Sequence, residues 1–333
     1  MKDLLKRYVE AYGPSGYEDQ IRALVLEDIK DLADDIMVDP LGNVLATKYP
    51  RGASGQPGKR VLIMGHMDEI GVIITHIDKQ GFLRFTNIGG VSPLFSVGGR
   101  VRFADGTIGV IGRDHGTAGS PTLTELFIDV GATSPEDCPV QIGDAAVFWQ
   151  PMLDLNEHRI AAKSVDDRVS LVIMIETLRR LPATPHEVVF AFSVQEEVGT
   201  RGAGPAAFTV DPDLGLSIDV TRTGDIPKHG QMEVHLGKGP AIKVRDSGML
   251  SDPRLVRLLR ARAQEANIPF QLEILDGGTT DARSIQVTRG GVPSGCISIP
   301  CRHIHSPSEV IDLRDVEQSI QLLIAFLTHP IDL

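Results

Sequence analysis

Four apolar runs in this chain each end in side chains able to bind a cation or move a proton. VLIMG leads into His66-Met67-Asp68-Glu69, VVFAFSVQ into Glu196-Glu197, GLSI into Asp219, and GCISIP through Arg302-His303-Ile304 to His305. A fifth cluster, the acidic pair Asp166-Asp167, stands at the head of a long apolar stretch. Imidazole nitrogen with carboxylate oxygen, and no thiolate, is the donor set of a catalytic zinc, cobalt or manganese site. Asp68 follows His66 by two residues, close enough to orient its imidazole from outside the ligand shell. In Glu196-Glu197 neighbouring side chains at a strand end point in different directions. One can bind a metal while the other faces a substrate as general base.

Each of these features has an ordinary explanation when taken alone. His66 and Asp68 could be a strand-end histidine and a turn aspartate, and Asp166 a helix N-cap. Glu196-Glu197 could be a solvated pair, Asp219 the start of a turn, and His305 a satisfied loop histidine. Together they are harder to dismiss. Carboxylates gathered at the ends of buried strands repel one another and lose hydration, and bound cations offset both costs.

The elements that must position these residues read as α/β. Helical apolar spacing covers residues 17–33, and strands are expected at 43–48 and 60–65. From about residue 71 to 161 short alternating runs are separated by Gly and Pro turns, which describes a β-rich insert of barrel or sandwich type. The α/β pattern then returns. An apolar helix over 169–181 is closed by Pro182, strands follow at 187–194, 214–220 and 295–299, and a helix covers 253–266. The expected fold is a mixed sheet sandwiched by helices, from residues 1–70 and 162–333, interrupted by a small β-barrel domain over 71–161. In open α/β sheets ligands gather beyond the carboxyl ends of the strands. If the four strands are parallel neighbours, their clusters converge. A Gly/Pro-rich patch at 50–58 reads as a surface loop.

Bulk properties exclude several classes. The 333 residues carry 33 basic and 44 acidic side chains, a net charge of −11, which suits neither a phosphate backbone nor an anionic surface. No run approaches the ~20 apolar residues that span a bilayer. The N-terminal MKDLLKRYVEAYGPSG is an amphipathic helix broken at Gly13-Pro14, without the features of a signal peptide. Three cysteines, Cys138, Cys296 and Cys301, with no CxxC spacing, point to a reducing, cytoplasmic setting. Cys301 lies near the histidines, but a buried filler at a strand end is the preferred reading.

The motifs GHMDEIG, VDDR, QEEVGTRGA, SIDVT, GGTTDA and HIHSPSEVIDLRDV resemble, in order and spacing, those of the M42 metallo-aminopeptidases. That family includes glutamyl and deblocking aminopeptidases and the tetrahedral TET peptidases. The resemblance runs from PSGYE at Ser15 to the C-terminal helix. It implies a zinc-peptidase-like fold and two divalent ions per subunit, zinc or cobalt. His66 and Asp219 would hold one ion, Glu197 and His305 the other, and Asp166 would bridge both. Glu196 would be the general base, Asp68 would orient His66, and the insert would serve dimerisation, with dimers building dodecamers. The implied activity removes N-terminal residues from peptide substrates. Where the family usually has a glycine after Thr-Asp-Ala this chain has Arg283, and Gln286 replaces a frequent histidine. If Arg283 faces the substrate, acidic first residues are favoured.

Spacing leaves open a carboxypeptidase or small-amide deacylase on the same bimetallic site, and a scaffold that keeps metal for structure alone. An endoglucanase also uses two carboxylates, but needs no bimetallic cage. Aromatic residues make up only 5% of the chain, with Trp149 as the one tryptophan for sugar stacking.

Overall fold

The computed structural model describes residues 1–51, 58–228 and 232–333, so the Gly/Pro patch falls largely outside the described residues. Helices α1 (Lys2–Val9) and α2 (Asp19–Ile29) precede strands β1 (Asp35–Val38), β2 (Val44–Lys48) and β3 (Arg60–His66). Six strands follow: β4 (Gly71–Ile77), β5 (Leu83–Ile88), β6 (Arg100–Phe103), β7 (Ile108–Arg113), β8 (Leu126–Asp129) and β9 (Ala145–Phe148), with a short helix α3 (Pro93–Ser96). They close into a barrel in the order β4-β5-β8-β7-β6-β9 around Val72, Leu83, Val101, Ile111 and Ile128.

The chain then returns to the first layer through β10 (Leu153–Asp154), β11 (Arg159–Ala162) and the helix α4 (Val165–Arg180). The rest alternates: β12 (Glu187–Ser193), α5 (Ala203–Val210), β13 (Leu214–Thr221), β14 (Ala241–Arg245), α6 (Pro253–Glu265), β15 (Gln271–Ile274), α7 (Ala282–Gln286), β16 (Ser294–Arg302), β17 (Glu309–Asp312) and α8 (Leu313–Leu327). The large sheet is mixed and runs β1-β2-β12-β3-β13-β16-β17-β11-β10, with β14 pairing β15 and β16 to one side.

At its centre β12, β3, β13 and β16 are mutually parallel. Such strands are covered on both faces, which is why they read as unbroken apolar runs. From Val61 to His66 and throughout β13 every residue is buried. Helix α4 supplies one cover, and its residues from Val165 to Leu178 are all buried. It packs against α1, α8, β3 and β13. Two helices start where the N-cap rule puts them: Asp252 and Asp312 each accept the N–H two residues on, from Arg254 and Arg314.

The expected elements are present with shifted ends, and α2 is shorter than its apolar spacing. β1, β14, β15 and β17, each four or five residues long, are not among the expected strands.

Candidate metal centre

His66 closes β3, Glu196-Glu197 follow β12, Asp219 lies near the end of β13, and His305 follows β16. Because these four strands are parallel neighbours, all of these residues reach one rim of the sheet. Asp166 arrives there from the head of α4, in a backbone conformation that is not yet helical.

Two triplets of potential ligand atoms result, each within 4.8 Å: His66 with Asp166 and Asp219, and Asp166 with Glu197 and His305. Asp166 belongs to both. Its Oδ1 is 3.2 Å from His66 Nε2 and its Oδ2 is 3.3 Å from His305 Nε2. Glu197 Oε1 is 3.3 Å from that same His305 nitrogen, whereas Glu196 Oε2 is 4.0 Å from His66 Nε2. The adjacent glutamates face different halves.

Asp68 sits beneath this rim, fully buried. Its Oδ1 accepts the Glu196 N–H at 2.9 Å, and its Oδ2 accepts the Glu197 N–H at 3.2 Å and the Ser15 hydroxyl at 2.5 Å. Its carboxylate is 3.4 Å from His66 Nδ1, which lies nearer, at 3.1 Å, to the main-chain oxygen of the same aspartate. Asp167 joins neither triplet; its Oδ2 accepts the His66 N–H at 3.3 Å. Behind Asp68, buried Glu69 takes the Lys163 ammonium at 2.6 Å and the Arg168 guanidinium at 3.2 Å. Those two cations also donate to the main-chain oxygens of Tyr8, Ala11 and Gly13, which fastens the N-terminal segment under the site.

The charge balance is what a cation would correct. Burial, then the neighbouring carboxylates, pushes Asp167, Glu196 and Asp219 well above the usual carboxylate range. Burial opposes the imidazolium of His305, yet Glu197 and Asp166 raise it to about 12. His66 is likewise raised by Asp166 and Asp68 against its burial. The chain alone can meet the mutual repulsion only by gathering protons, and nitrogen and oxygen donors with that deficit fit divalent cations. Cys301 is buried and in neither triplet.

A cavity of about 250 Å³ opens over the two triplets and continues past Thr221, Arg222, Lys243, Thr279 and Arg283. A larger groove of about 1100 Å³, between α6 and β15, holds none of the site residues. From the barrel side Gly89, at φ +72°, and Gly90 close over the site. A Cβ on Gly89 would come within 3.2 Å of Glu197 Oε2, and one on Gly90 would strike the His305 ring.

A family model described as M42 glutamyl aminopeptidase matches residues 42–322. The chain belongs to the M42 aminopeptidases. An aminopeptidase from the archaeon Desulfurococcus kamchatkensis superposes with a TM-score of 0.93 at 40% identity, covering 98% of this chain and 94% of that one. The lysyl aminopeptidase of Pyrococcus furiosus is 37% identical over 98% of this chain and 96% of its own. The Pyrococcus horikoshii TET1 peptidase, which can assemble into a tetrahedron or a large octahedral shell, matches with a TM-score of 0.86 at 32% identity, covering 99% of each chain.

This M42 aminopeptidase is a hydrolase acting on peptides, and no helix among its described residues is long and apolar enough to cross a membrane. Arg283, the departure from the family pattern, does line the cavity, together with Arg222. Both are exposed. Lys243 is buried and committed to Glu273 at 2.7 Å. Gln286 points elsewhere, donating to the Leu250 main chain. Sequence reasoning gave no supporting role to Ser15, Glu69, Lys163 and Arg168, although all but Lys163 stood in quoted motifs. A hydroxyl or ion pair that supports a site from behind has no periodicity to betray it.

Proposed function

We propose that this enzyme is a two-metal aminopeptidase with Glu196 as its general base. The observation that carries the reading is the sharing of Asp166 between two triplets of nitrogen and oxygen donors. His66, Asp166 and Asp219 would hold one cation, and Asp166, Glu197 and His305 the second. Such a pair supplies Lewis acidity and a nucleophilic water at neutral pH. Zinc or cobalt suits the donors.

Glu196 stands on the same rim, 4.0 Å from His66 Nε2, but belongs to neither triplet, which leaves its carboxylate free to move a proton. It takes one from the attacking water and passes it to the departing amine nitrogen. Asp68 contributes by fixing the two main-chain N–H groups that carry Glu196 and Glu197, and by standing beside the His66 imidazole. The surrounding carboxylates also suit a free α-ammonium, so cleavage proceeds from the N-terminal end. Arg222 and Arg283, which form no ion pair among the described residues, favour an acidic first residue. We place the enzyme in the cytoplasm, its three thiols free. The barrel is its dimerisation domain, and its dimers assemble further, toward a dodecamer.

One peptide in three forms tests the reading: free amine, N-acetylated, and carboxyl-blocked. The free and carboxyl-blocked forms should be trimmed and the acetylated form refused. Chelation should abolish turnover, with zinc or cobalt restoring it. Cleavage of the acetylated form but not the carboxyl-blocked one would overturn the assignment in favour of a carboxypeptidase. Among glutamyl-, leucyl- and lysyl-anilides, glutamyl should be fastest, and a lysyl preference would rule out the role given to Arg283.

A further inference from the structure

Glu309, the first residue of β17, is buried beside the centre without being a candidate ligand. Its Oε1 accepts the His305 N–H at 2.8 Å and its Oε2 accepts the Asp166 N–H at 2.9 Å. We infer that Glu309 is a positioning residue: one carboxylate holds the backbone of both Asp166 and His305, and so sets the half of the centre those residues share with Glu197. The inference rests on the two-metal reading.

Three observations support it. First, neither N–H belongs to a regular ladder. Asp166 has φ −73° and ψ 103° inside the first turn of α4, and His305 has φ +61°, in the left-handed region. A non-glycine residue persists there only when its surroundings hold it. Second, the chemistry is specific to a carboxylate. Two N–H donors arriving from different segments need two acceptor oxygens. A glutamine has only one and would turn its NH2 toward the other donor. Third, the arrangement repeats across the centre. Asp68 uses its two oxygens on the N–H groups of Glu196 and Glu197, as Glu309 does on those of Asp166 and His305. Two buried acids therefore each pin two residues of the rim, and Glu309 pins two members of the triplet that contains Glu197. Among the described residues Glu309 has no cationic side chain within ion-pair distance, so an ion pair does not account for its burial.

The test uses full-length enzyme stripped of metal and titrated with cobalt, followed by visible absorption and calorimetry. The parent should bind in two phases, and His305→Ala marks the phase that belongs to its half. Glu309→Gln should weaken that phase by about 10–100-fold, the usual consequence of losing an outer-shell partner. The other phase, which shares only Asp166 with it, should weaken less. In the reloaded enzyme kcat should fall while KM for the peptide holds. Both cobalt phases at parental strength in Glu309→Gln would overturn the inference. A parent that binds no pair of ions would take down the two-metal reading as well. Should Glu309→Gln not fold, Glu309→Asp keeps the charge on a shorter stem and must show the same selective weakening; parental affinity in both phases would again overturn it.

Discussion

Glu196 and Glu197 occupy successive positions, yet one stands 4.0 Å from His66 and the other 3.3 Å from His305. In the two-metal reading that divergence separates holding an ion from moving a proton. Glu196→Gln keeps the volume and removes the base. We expect a folded protein with parental cobalt binding and a kcat lower by about 10²–10⁴-fold, measured by steady-state kinetics beside a cobalt titration. Near-normal turnover would put the base elsewhere. At this scale strand-end position marked His66, Glu197, Asp219 and His305, and the head of an apolar helix marked Asp166, as residues that the structure brings to one rim. The sequence was silent on Glu309, although HIHSPSEVIDLRDV contains it. A glutamate that accepts two main-chain N–H groups cannot be told in sequence from one that faces solvent.

Strands and helices determine how closely those residues can meet. Gly65 immediately precedes His66, and a Cβ there would run into the Ser170 side chain on α4 and lie 3.3 Å from Asp167 Oδ2. The absence of a side chain lets β3 and the head of α4 come together, and with them His66 and Asp166. Gly65→Ala should cost about 1–3 kcal/mol by overpacking, read as a lower melting temperature, and should reduce kcat because Asp166 rides on the displaced helix start. An unchanged melting temperature would mean the layer has slack. The long buried strands and α4 were legible because a parallel sheet covered on both faces leaves unbroken apolar runs. The four short strands were not, since four or five residues establish a period poorly, although the five-residue β2 was read. Nor could α2 be delimited, because apolar spacing continued past Ile29 into a turn.

On the scale of the molecule, the barrel presents Leu94 at 64%, Phe95 at 50% and Val97 at 44% exposure beside the catalytic layer. Exposed apolar side chains grouped together are the kind of surface on which subunits associate. If the barrel is the dimerisation domain, the double change Leu94→Glu and Phe95→Glu should yield a folded monomer by sedimentation velocity. Retention of the parental assembly would place the subunit contact on another face. The change of texture after residue 71 made a β-rich insert legible, but alternation alone does not say whether six strands close or lie open. Closure depends on β4 finding β9, more than 70 residues away in the chain.

Gly89 and Gly90 leave only backbone between that barrel and the side chains of Glu197 and His305. With no flexible stem to absorb a displacement, a tilt of the barrel is passed directly to Glu197 and His305. If the barrel is the dimerisation domain and the triplets hold a pair of ions, whatever grips the barrel from outside also tunes how firmly the second ion is seated.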